Sequence, residues 1–274
     1  MRKAFSLVLL VLFISFAAAL TISVLDPVKQ VLAPGQEVDL GVIGPGQKVE
    51  IQAQRFSGED DLTNAQGGEA LWDRFDALTL PSGWSSEASK EYEDPMHAFV
   101  IASRDAADGD YLFSMKAVDY YQGAADLVFN AKVLISKDVL KAELKESTVE
   151  SGPGQPATFF VQLENTGSAS DLFFIEVLDL PNQWRTTRQV FVPFKSEQSV
   201  PIEVTGTESG SFDFRIKVTS LSSDKITQTL DAKLVLQPSL KNDLKAVSNG
   251  LLLFPNVQQT IYSLLGFIVS ALDL

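Results

Sequence analysis

The strongest constraint on this chain is that it contains the same pattern twice, at an almost fixed spacing. Leu80-Pro81-Ser82-Gly83-Trp84 recurs as Leu180-Pro181-Asn182-Gln183-Trp184, 100 residues later. Gly109-Asp110-Tyr111-Leu112-Phe113-Ser114-Met115-Lys116 recurs as Gly210-Ser211-Phe212-Asp213-Phe214-Arg215-Ile216-Lys217 at an offset of 101, and Phe129-Asn130-Ala131-Lys132-Val133-Leu134 recurs as Leu230-Asp231-Ala232-Lys233-Leu234-Val235 at the same offset. Apolar residues alternate within these blocks: Phe212, Phe214, Ile216 and Val218 fall on one face, Asp213, Arg215, Lys217 and Thr219 on the other. A period of two marks a strand with one buried face, so the blocks read as half-buried antiparallel strands. Two tandem β-sandwiches follow, joined near Ser136-Lys137-Asp138, and at 274 residues the chain has room for two domains of about 100 residues.

The expected organisation is a first sandwich over 20–136 and a second over 137–237. Pro45-Gly46-Gln47 leads into the alternating run Lys48 to Ala53, as Pro153-Gly154-Gln155 leads into Ala157 to Glu164. Where the second copy turns tightly at Asn165-Thr166-Gly167, the first carries a long insert at 55–79. Long connections in compact domains are usually functional, and this one holds Trp72, Phe75 and a run of acids.

The succession of a Pro-Gly-Gln turn, a strand into Asn-Thr-Gly, Leu-Pro-x-x-Trp and a late Gly-x-Phe-x-Phe strand resembles the NPCBM-associated domains. These are immunoglobulin-like accessory modules of glycosidases and of archaeal and bacterial surface proteins. The succession is also similar to the related CARDB adhesion modules. The likeness spans 140 to 236 closely and 28 to 135 loosely, the Asn-Thr-Gly turn being absent from the first copy. It implies an all-β fold of two immunoglobulin-like sandwiches and a role as spacer, adhesion unit or helper of a catalytic domain.

Composition narrows the chemistry. A net charge of -13 repels phosphate backbones, so nucleic acid is not an expected partner. With no cysteine there is no disulfide, thiolate or cysteine-zinc chemistry. His97 is the only histidine, so no paired-histidine metal site forms, and with no Gly-x-Ser-x-Gly it reads as a strand-end residue, not a catalytic base. No cofactor is expected. A carboxylate-only site would favour calcium, for which Glu59, Asp60 and Asp61 are a weak candidate, followed by Glu91, Glu93 and Asp94. The 35 acidic residues supply carboxylate pairs, but glycoside cleavage needs a deep cleft that small sandwiches rarely provide. Trp84 and Trp184 recur at matching positions and are assigned to packing. Trp72 has no counterpart in the second copy; with Phe75, Tyr92, Tyr120 and Tyr121 it forms the expected ligand-contact set.

At the N-terminus Arg2 and Lys3 precede the uncharged run Ala4 to Leu20, ending in Ala17-Ala18-Ala19. That is the layout of a signal peptide over 1–19, or of an uncleaved anchor, and either places the sandwiches outside the cytoplasm. The period changes to helical in the tail, 238–274, expected as a helical hairpin or a membrane-associated segment. Val257, Ile261, Leu264, Leu265, Ile268 and Leu272 share one face, and Gln259, Ser263, Gly266 and Ser270 the other. Pro255 to Leu272 as a helix would reach about 27 Å, close to the hydrocarbon thickness of about 30 Å. Small polar groups on the second face suit packing against another helix inside a membrane.

The sequence thus describes a non-catalytic extracytoplasmic binding or scaffolding protein at the cell surface, held by its tail to the membrane or a membrane protein and contacting a surface protein or a glycan. The alternative is a carbohydrate-binding accessory module serving a separate glycoside hydrolase. Expressed in its native host, the full chain is expected to pellet with membranes and resist carbonate extraction, and a truncation after Leu236 to be soluble. Equal solubility of both would remove the membrane assignment.

Overall fold

In the computed structural model, residues 20–65 and 67–238 are described, and among them the chain is all-β apart from one turn of 3-10 helix at Asn182–Trp184. The signal expected over 1–19 and, beyond Pro238, the helical tail with its apolar face lie outside the described residues. The chain divides between Ser136 and Lys137 into two compact units.

The first unit contains β1 (Ile22–Asp26), β2 (Gln30–Leu32), β3 (Glu37–Ile43), β4 (Lys48–Ala53), β5 (Phe56–Asp60), β6 (Glu69–Leu71), β7 (Arg74–Thr79), β8 (Ser85–Glu87), β9 (Met96–Ile101), β10 (Gly109–Val118) and β11 (Leu127–Ile135). Its sheets run β2-β1-β4-β9-β8 and β3-β11-β10-β7, with β5 and β6 as a separate hairpin. The second unit contains β12 (Leu140–Leu144), β13 (Thr148–Ser151), β14 (Pro156–Asn165), β15 (Asp171–Leu178), β16 (Thr187–Val192), β17 (Ser196–Thr205), β18 (Gly210–Ser220) and β19 (Thr227–Leu236). Its sheets run β12-β14-β17 and β13-β19-β18-β15-β16.

One pairing scheme underlies both units. The antiparallel pairs β4–β9 and β14–β17 correspond, as do β7–β10 and β15–β18, and the last strand of each unit pairs in parallel with an early one, β11 with β3 and β19 with β13. The repeat extends to register: the ladder of β10 and β11 opens at Gly109↔Ile135, and that of β18 and β19 at Gly210↔Leu236, each residue displaced by 101.

Alternation fills the space between sheets. Along β11, Phe129, Ala131, Val133 and Ile135 are buried while their neighbours face out. Phe75 stacks on Phe129 at 6.0 Å in the first unit, and Phe159 meets Phe214 edge-on at 5.1 Å in the second. The repeated tryptophans serve packing. Trp84 lies against Tyr111 and Phe113, and Trp184 meets Phe212 edge-on at 4.9 Å with Gly206 beneath it.

The repeated turns have a shared construction. Gly46 and Gly154 hold φ of 73° and 78°, where a side chain would be strained, and Gln47 and Gln155 close each turn by donating their amides to the carbonyls of Gly44 and Gly152. Both strands are then launched from a fixed point.

The insert differs from expectation. Arg74–Thr79 is not part of a loop but strand β7, paired to β10, with Phe75 in the core. The extra segment runs from Gln54 to Asp73 and carries the β5–β6 hairpin. In the second unit the same connection is short because Asn165 ties it internally. Its buried Nδ2 donates to the carbonyls of Ala169 at 2.9 Å and Val192 at 3.2 Å, and its Oδ1 accepts from the Gly167 amide at 3.0 Å. Asn165→Ala would leave these backbone groups unmatched, with an expected loss of about 2 to 4 kcal/mol. Calorimetry is expected to show the second unit melting about 10 °C lower, and a shift under about 2 °C would mean water replaces the amide.

Candidate functional site

Three connections meet at one end of the first unit: residues 54–73 between β4 and β7, 88–95 between β8 and β9, and 119–126 between β10 and β11. The ladders bring them together, since Ala53 pairs with Met96 in one sheet while Val118 pairs with Arg74 and Ala117 with Leu127 in the other.

Asp73 joins all three. Its amide donates to the Val118 carbonyl at 2.8 Å and its carbonyl accepts from the Tyr92 amide at 2.9 Å. Its Oδ2 accepts from the Tyr120 amide at 2.9 Å, and its Oδ1 pairs with the Arg55 guanidinium at 3.1 Å. Arg55 also donates through Nε to the Trp72 carbonyl at 2.8 Å. Both side chains are largely buried, at 5% and 17% exposed, so the pair is shielded from solvent screening.

The loops themselves are stiff. Asp119 accepts from the amides of Tyr121 and Gln122 at 2.8 Å and of Ala124 at 2.7 Å, which closes 119–126 on one carboxylate. Gln122 accepts from the Leu71 amide at 2.6 Å through its side chain and from the Leu62 amide at 3.0 Å through its carbonyl, tying the hairpin to the same loop. Ser89 pins 88–95 to β7, its hydroxyl accepting from the Phe75 amide and its amide donating to the Phe75 carbonyl, both at 2.9 Å.

On this base stand three tyrosines. Tyr92 and Tyr121 are stacked with centroids 6.4 Å apart, and Tyr120 meets Tyr121 edge-on at 6.2 Å. Tyr92 and Tyr120 are about half exposed and Tyr121 is 67% exposed. The Arg55 guanidinium lies 5.7 Å from the Tyr92 ring centroid. Tyr92 has φ of 62°, a left-handed conformation that costs a non-glycine residue about 1 to 3 kcal/mol and recurs at ligand sites. The hydrogen bond to Tyr121 pushes the Tyr92 phenol up to about 12, with burial and the charges of Tyr121, Asp73 and Glu91 adding.

Of the five expected contact residues, the structure brings Tyr92, Tyr120 and Tyr121 together on the surface. Trp72 and Phe75 are instead fully buried. Trp72 is the anchor of the added hairpin, its Nε1 donating to the Thr21 carbonyl at 3.1 Å, and Phe75 belongs to the sheet core. Neither side chain reaches the surface. Among the described residues no three His, Cys, Asp or Glu side chains stand close enough to hold a metal ion. Glu59 and Asp60 are successive residues of β5, whose side chains leave opposite faces. Asp61 binds the hydroxyl and amide of Thr63, which lowers its pKa. His97 sits within β9 against Glu50.

Arg55, Asp73, Asp119 and Gln122 were not among the residues expected from sequence. The Asp119 turn has a local signal in an aspartate ahead of Gln122-Gly123, whereas the meeting of Arg55, Asp73, Tyr92 and Tyr120 depends on strand pairing. In the second unit an open depression of about 510 Å³ on the β18–β19 face pairs Arg215 with Asp179 and Lys233 with Asp213, carries Asp231 besides, and has Phe214 as its one aromatic lining residue.

No family model and no curated protein matches the chain. Among solved structures, the chain is similar to the CARDB domain of a Pyrococcus furiosus protein in complex with di-metal ions. The identity is 19% over 36% of this chain and 94% of that one, with a TM-score of 0.27. A chimeric titin Z1Z2 carrying an exogenous peptide from decorin aligns at 13% identity over 81% of this chain and 100% of that one, with a TM-score of 0.35. A β-glucosidase from Listeria innocua in complex with glucose aligns at 12% identity over 35% of this chain, with a TM-score of 0.25, and only 16% of that enzyme is covered.

The tyrosine pair has a spectroscopic signature. Ultraviolet titration is expected to show one phenol ionising near the 12 of Tyr92, returning toward the ordinary value near 10 in Tyr121→Phe. Because the folded value is raised, this contribution to stability is complete below pH 10 and is lost as pH climbs toward 12. An unchanged titration in Tyr121→Phe would mean the two hydroxyls do not interact.

Proposed function

We propose that this chain is a non-catalytic extracytoplasmic binding or scaffolding protein of two tandem immunoglobulin-like sandwiches, which contacts its partner through the tyrosine end of the first unit. One observation carries the reading: three exposed, mutually packed tyrosines are presented by loops locked onto the buried Asp73–Arg55 pair. Tyrosine gives a large contact area with few rotatable bonds, and a pre-set loop spends little ordering entropy on binding, which is the design of a recognition surface. The groups exposed on these loops include the three phenols, several carboxylates, the apolar side chains of Phe56 and Leu62, and Lys90.

Export is supported by Arg2-Lys3 ahead of the uncharged run to Leu20, and surface retention by the apolar face from Val257 to Leu272. The second unit acts in this reading as a spacer.

The full-length chain is to be screened on combined glycan and peptide arrays beside Tyr120→Ala/Tyr121→Ala, a variant that alters only exposed rings. At least one ligand class is expected to be retained and to weaken about tenfold or more in the variant, at unchanged melting temperature. Ligands held equally by both proteins would move the contact surface elsewhere and overturn the reading.

A further inference from the structure

The chemistry around the tyrosines selects among partners. The three loops carry ten carboxylates, five in 54–73, three in 88–95 and two in 119–126, against two cations, Arg55 and Lys90. Arg55 is already committed to Asp73, and Asp126 is matched by Lys116. Glu91 and Asp94, beside Tyr92 in the chain, are exposed. The surface therefore combines aromatic faces with surplus negative charge.

Such a surface repels anionic headgroups and sulfated or phosphorylated ligands, and for a neutral sugar the surplus charge adds nothing. A cation gains from both features, because the negative face of a tyrosine ring attracts ammonium and guanidinium groups and nearby carboxylates complete their hydrogen bonds. The cluster already holds one guanidinium in this manner, that of Arg55 over Tyr92. We propose that the tyrosine end binds a cationic segment of a protein partner, taking its arginine or lysine side chains against Tyr121 and Tyr120 with Glu91 and Asp94 alongside. The proposal rests on the reading of this end as the recognition surface and names the partner it takes.

Fluorescence anisotropy of the full-length chain provides the test, at about 0.15 M salt so that long-range attraction is screened beyond about 8 Å. The probes are a labelled peptide of alternating glycine and arginine, its glycine–glutamate counterpart, and a neutral β-linked glucan oligosaccharide. The arginine peptide is expected to bind and the glutamate peptide not to compete. Tyr121→Leu is expected to weaken binding about tenfold and Tyr121→Phe to retain most of it, with net charge the same in all three proteins. Equal binding of the arginine peptide by wild type and Tyr121→Leu would assign it to the overall charge of the chain and overturn the proposal. Tyr121-dependent binding of the oligosaccharide without binding of the arginine peptide would overturn the cationic partner and leave the recognition surface standing. Loss of Tyr121 dependence for every probe would remove both.

Discussion

Burial of alternate side chains between two facing sheets is the constraint on which the rest of this structure depends. Each sheet is wet on one side and must be covered on the other, so the inner residues of β10, β11, β18 and β19 are fixed in type and in spacing. The same demand explains why the repeat survives most clearly in these strands. Their outward positions carry exchangeable charges, such as Lys132 beside Asp110 and Lys233 beside Asp213, that pair in solvent and contribute little. Variation between the units is concentrated where this constraint relaxes, at strand ends and sheet edges.

The tyrosine end of the first unit shows what such freedom permits. The β5–β6 hairpin adds backbone that needs an anchor of its own, and Trp72 supplies it from within. Once the hairpin is seated, Asp73 lies between two sheets and three loops, with every polar group on its backbone and side chain engaged. Breaking a buried ion pair of this kind by removing one member is costly, which makes the loops above it one cooperative piece, not three separate ones. The second unit has Asn165 at the corresponding connection and uses it for the opposite purpose, to keep the connection short.

The sheet plan was legible in the sequence because period-two patterning is local and because duplication let one copy check the other. The Pro-Gly-Gln turns can be read for the same reason, and the Asn165 turn from its own local Asn-Thr-Gly motif. Strand β7 is harder to read: Arg74 to Thr79 alternates, but it follows directly on the unmatched Trp72, which groups it with the insert. Trp72 and Phe75 look free to face outward because they stand in an unrepeated segment; the register of β7 with β10 turns Phe75 into the core, and the seat of Trp72 against the Thr21 carbonyl depends on a contact 51 residues away. The Asp73 junction left no local trace. Its partners lie at positions 55, 92, 118 and 120, and nothing in their spacing announces that four strand ends converge there.

Tyr92 adopts a backbone conformation in which glycine would be at ease. A chain optimised for endurance alone would therefore exchange this ring for glycine, and selection for heat resistance in the laboratory should push the same way. Keeping the ring costs the fold a small permanent handicap at this end of the first unit, and replacing it with glycine would relieve the backbone while removing one of the three packed phenols.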